Sequence, residues 1–161
     1  MRTDKLGICC GLLLACASLS AHGAPACVAD SPVATAQLLQ AEQYFFYVEP
    51  DPAKALIGPR FLKILRAEAA CAEAEGGLCN IGADPWLSAQ DGEMGQPLRF
   101  NEASNDGAKA EVVLAYPFVL DPEQPGTQQQ VRLAFVKNAG CWQLDDLVSP
   151  DGQSLAKQLS P

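Results

Sequence analysis

The hydrophobic pattern of this chain changes period part-way along, and that change does most to fix what it can fold into. Up to about residue 75 the apolar side chains recur at helical spacing. From residue 110 onward they alternate singly. Ala110, Val112, Leu114, Tyr116 and Phe118 alternate with Glu111, Val113, Ala115 and Pro117. Val131, Leu133 and Phe135 alternate with Arg132, Ala134 and Val136, and Trp142 and Leu144 with Gln143 and Asp145. Successive strand side chains point to opposite faces, so this pattern predicts three strands, each with one buried face. Asn138-Ala139-Gly140 is a short turn that makes the second and third strands an antiparallel hairpin. Asp121 to Thr127, with two prolines and a glycine, is a longer loop between the first and second. Asp84 to Gln90 is read as an earlier strand.

Before the sheet come two helices. Ser31 suits an N-cap and Pro32 the first helical turn. The helix then runs Val33 to Val48, although Tyr44-Phe45-Phe46-Tyr47 is apolar on every side, and Glu49-Pro50-Asp51-Pro52 ends it. A second helix opens at Pro59. Phe61, Leu62, Leu65 and Ala69 form its inward stripe, with Arg60, Lys63, Glu68 and Glu73 outside, and Gly76-Gly77 stops it. Ser149-Pro150-Asp151-Gly152 is a turn, and Leu155 to Leu159 a short closing helix. Helix, helix, then a meander of strands is an α+β order, with helices on one face of an antiparallel sheet.

Residues 1–23 have the three parts of a signal peptide: positive charge at Arg2 and Lys5, an apolar run from Leu6 to Ala17, and small residues in Ala21-His22-Gly23 before a cut at Ala24. Ala24-Pro25-Ala26 offers a second cleavage point. The run is too short for a stable membrane span. Leu13-Leu14-Ala15-Cys16 is also similar to a lipobox. Acylation of Cys16 would tether the protein to a membrane, whereas ordinary cleavage releases it to the periplasm. Residues 24–32 are an extended arm and 33–161 a single domain.

From Ala24 onward 138 residues remain, enough for one core. The chain carries a net charge of −8; loss of Arg2, Lys5 and Asp4 with the leader makes it −9. Such acidity disfavours nucleic acid and anionic membrane surfaces, and it serves solubility as well as a basic partner. The lone histidine, His22, leaves with the leader. Catalysis through a Ser-His or Cys-His pair and most zinc sites leave with it.

Four cysteines then remain: Cys27, Cys71, Cys79 and Cys141. Four allow three pairings. A helix that stops at the glycines and turns back would bring Cys71 to Cys79, which leaves Cys27 for Cys141; the other two pairings stay open. Without a C-x-x-C pair the spacing speaks against a metal, and no cofactor motif is present.

Several of these residues carry a resemblance. Phe61-Leu62, Asp84-Pro85-Trp86 with Gln90-Asp91, Ala110-Glu111-Val112 and, most telling, Gly140-Cys141-Trp142-Gln143-Leu144-Asp145-Asp146-Leu147 with Ser154-Leu155 look like a family of uncharacterised exported bacterial proteins. That family, a domain of unknown function, has a cystatin-like cone similar to nuclear transport factor two. The likeness runs from about residue 33 to the end. It implies a curved sheet enclosing a pocket, and pairing through the sheets as a homodimer, without implying chemistry.

The candidate site residues follow. Alternation puts Asp146 on the face of Trp142 and Leu144, where a carboxylate in an apolar pocket would serve as a general base; its structural alternative is to bond backbone amides. Asp91 and Glu93 would suit glycoside hydrolysis or a hard cation, or simply an Asp-Gly turn. Trp86, Tyr116 and Trp142 would stack on a ligand or pack the core. Tyr44 and Tyr47 would donate to an oxyanion, and tyrosine with aspartate is the one acid-base pairing the composition leaves. The expected function is a non-enzymatic exported module that binds a small molecule or a protein. The alternatives are a proton-transfer isomerase or hydrolase using Asp146, and an immunity-type protein that binds a toxin in the cell envelope.

Overall fold

A computed structural model describes residues 26–77 and 79–160. The leader, with Cys16 and His22, lies outside the described residues. Helix α1 spans Pro32–Glu42, with the Ser31 hydroxyl accepting from the Ala34 amide at 3.1 Å. It ends six residues before the expected Val48. Aromatic residues on every side cannot share one buried stripe, so the chain leaves the helix at Gln43 and breaks into turns. Those turns send Phe46 and Tyr47 into the core and leave Phe45 outside.

Helix α2 spans Pro59–Glu75 and stops at Gly76, whose φ of 71° is left-handed. Phe61 and Leu65 face inward as expected, but so does Glu68. Its carboxylate accepts from the Asn80 and Ile81 amides at 2.5 and 3.1 Å and from Asn80 Nδ2 at 2.7 Å. The helix therefore buries a charge that ties down the following loop.

The strands are β1 Glu93–Met94, β2 Arg99–Asn105, β3 Lys109–Val119, β4 Thr127–Asn138 and β5 Cys141–Val148; the closing helix α3 is Leu155–Gln158. β1 and β2 lie in succession along one edge of β3, and β3, β4 and β5 form an antiparallel meander. Helices and a curled antiparallel half-barrel make the molecule α+β. The three alternating segments are β3, β4 and β5, and the Asn138–Cys141 turn closes the expected hairpin with Ala139 and Gly140 at positive φ.

Two local outcomes differ from the pattern. Residues 84–89 are a loop closed by one bridge between Asp84 and Ala89, not a strand. β2 carries no alternation because nearly all of it is exposed, and it forms by filling the open edge of β3.

The core joins Leu39, Phe46, Phe61 and Leu65 to the inward faces of β3, β4 and β5. Cys27–Cys141 ties the arm to the start of β5, with Cα atoms 5.3 Å apart, and Cys71–Cys79 links the end of α2 to the loop after it, at 5.8 Å. This is the pairing that the helix-and-turn argument favours.

Candidate functional site

The turn after α1, the second half of α2 and the loop that follows it meet around one groove of about 650 Å³. Phe45, Tyr47 and Val48, just after α1, make an aromatic and aliphatic wall. Ala69 and Ala72 on α2 supply a floor of small side chains, and residues 81–84 form the opposite wall. Phe45 is 63% and Val48 49% exposed, although both are large and apolar. Their neighbours Phe46 and Tyr47 already fill the core side of the turn, so the tight aromatic run forces these two outward.

Asp84 lines the groove, half-buried. Its Oδ1 accepts from the Trp86 amide at 2.8 Å, and its Oδ2 accepts from the Tyr44 hydroxyl at 2.7 Å. Tyr47 also interacts with this carboxylate. Burial raises the Asp84 pKa above the ordinary aspartate range, more than its hydrogen bonds lower it. Burial, reinforced by the charge of Asp84, also holds the Tyr44, Tyr47 and Tyr116 hydroxyls protonated far beyond the ordinary tyrosine range. The tyrosines are therefore donors and not bases. The cluster holds a fixed carboxylate in the lining of the groove.

Trp86 supports this arrangement from behind. Its indole N–H donates to the Tyr44 carbonyl at 2.9 Å, its ring stacks on Tyr44 with centroids 5.7 Å apart, and the Tyr116 hydroxyl donates to its carbonyl. Trp86 and Tyr116 thus meet each other, both fully buried in the core, and neither lines the groove. Trp142 is buried at the start of β5, with the Lys137 ammonium 5.1 Å from its ring centre. Asp91 is exposed just before Gly92, and Glu93 is exposed at the start of β1.

Asp146 departs from the expected face. A bulge in β5 leaves Asp145 as an extra residue, so Leu144 pairs with Phe135 and Asp146 with Ala134. Parity shifts by one, Leu147 takes the buried position, and Asp146 turns to accept from the Ser154 hydroxyl at 2.5 Å and the Ala156 amide at 2.8 Å. It thereby secures the start of α3. The extra residue, Asp145, receives a two-pronged contact from Arg60 with Nη2 at 2.8 Å.

Tyr44 does meet an aspartate, Asp84, as a hydrogen-bond donor. Asp84 belongs to the Asp84-Pro85-Trp86 stretch, and nothing in the sequence pattern gives it a role. Among the described residues no group of three His, Cys, Asp or Glu side chains is placed to hold a metal ion. The chain matches no protein-family model and no curated protein sequence.

Proposed function

We propose that this chain is an exported periplasmic binding module, of the cone-like type that its sequence resembles, and that its occupant lies in the groove between α2 and residues 45–48. The observation that carries this reading is the groove itself: about 650 Å³, walled in part by side chains that stay apolar and exposed, with the acids Glu68, Glu73 and Asp84 in its lining. Small-molecule sites have this size and this balance of apolar lining and few polar groups. Two disulfides suit an oxidising compartment, and among the described residues no helix is long and apolar enough to cross a membrane.

The experiment is native mass spectrometry of the protein purified, unreduced, from its own cell envelope. A retained mass of a few hundred daltons that is lost in a Phe45→Ala variant of unchanged circular dichroism supports the reading. No retained mass, together with no saturable binding of envelope metabolites or proteins, overturns it. A diacylglycerol-sized addition at Cys16 would instead identify the membrane-tethered form.

A further inference from the structure

We propose that the groove takes a cationic amphiphile, an apolar chain or ring system that ends in an ammonium group. This rests on the reading of the groove as a binding site and adds the charge of its occupant. Glu68, Glu73 and Asp84 all line the groove, and no lysine, arginine or histidine does among the described residues.

These acids differ in kind. Glu68 and Asp84 are locked, one by three donors from Asn80 and Ile81, the other by Tyr44 and the Trp86 amide. All four of their oxygens are already engaged inside the protein, so they give the groove a fixed negative field rather than free ligands. Glu73 is exposed on α2 and meets solvent, so it is the first charge that an arriving cation encounters. The aromatic wall adds a second attraction. Phe45 and Tyr47 have ring centroids 6.1 Å apart, and the Phe45 ring is open to solvent. An ammonium over a ring face is drawn to the ring quadrupole.

An anionic amphiphile of the same length would meet this acidic lining, with Glu73 exposed in it and no counter-charge, and like charges at close range are strongly disfavoured. The net charge of −8 also steers cations towards the molecule as a whole.

The test titrates the oxidised, processed protein with octyltrimethylammonium, octyl sulfate and octyl glucoside, each below its micelle concentration, by calorimetry. The ammonium probe should bind saturably and about tenfold more tightly than the sulfate, a ratio set by one ring contact and a few charges. Its affinity should fall as salt rises. Phe45→Ala and Glu73→Gln should each weaken it several-fold; both residues are exposed, so the fold is spared if Asp84→Asn proves too disruptive. Equal binding of the ammonium and the glucoside overturns the charge inference and leaves an apolar site standing. Tighter binding of the sulfate overturns it too, as does ammonium binding that survives both substitutions. Failure of all three probes overturns the inference and counts against the groove as a site.

Discussion

Glu68 and Glu73 lie on the same helix five residues apart, and sequence periodicity assigns them the same outward role. The fold separates them. Glu68 is buried and satisfies three donors from the loop that follows α2, whereas Glu73 is exposed. Glu68→Ala should therefore cost about 2–3 kcal/mol in urea unfolding, because buried donors lose a charged acceptor, while Glu73→Ala should stay within about 0.5 kcal/mol. Equal effects would mean that Glu68 does not organise the loop. Asp84 makes a prediction in pH. Burial raises its pKa, so the folded chain holds its proton more tightly than the unfolded chain. Between the ordinary aspartate value and the raised one the folded state binds more protons, and this residue's contribution to stability falls as pH rises through that window. Asp84→Asn removes the titration. Urea midpoints measured upward from about pH 4 should then fall less with pH in the variant than in the parent, starting from the ordinary aspartate pKa. Parallel pH profiles would dismiss the idea. Neither role was legible beforehand, because a carboxylate's burial depends on what another segment lays across it.

At the level of elements, the legible parts are those with one wet and one dry face. β3, β4, β5 and α2 carry a period because the core imposes it on alternate residues or on one stripe. β2 has no dry face to write a pattern, and the β5 bulge inverts parity with a single residue, so both escaped notice. The early end of α1 follows from crowding that no one-dimensional period expresses. The edge of the sheet also depends on one glycine. Gly92 has a φ of 106°, and a Cβ there would sit 2.5 Å from the Phe118 ring and 3.1 Å from the Val119 carbonyl. Gly92→Ala should cost about 2–3 kcal/mol through backbone strain and this clash. Chemical denaturation measures the loss, and amide exchange should localise it to β1 and the adjoining end of β3. A neutral substitution would mean that the edge rearranges freely.

Across the whole molecule, the α+β class could be inferred from the order of periods, and the favoured disulfide pairing from a helix stop. The groove could not, since residues 45–48, 69–73 and 81–84 converge only after packing. The two bridges hold very different amounts of chain. Cys71–Cys79 spans 8 residues and Cys27–Cys141 spans 114. By loop-closure entropy these are worth about 2–3 and about 4–5 kcal/mol, so Cys27→Ser should lower the unfolding midpoint more than Cys71→Ser. If the ranking is reversed, entropy is not the governing contribution. The same separations also set a clock. A chain that emerges N-terminus first presents Cys27 early, yet its partner appears only at the start of β5, the last strand. The short bridge should close while the sheet is still unmade, and the long one only after the last strand has begun to emerge. Trapping thiols at intervals during emergence would expose that sequence of events as a one-bridge species followed by the two-bridge form, and a two-bridge form arising first would overturn it.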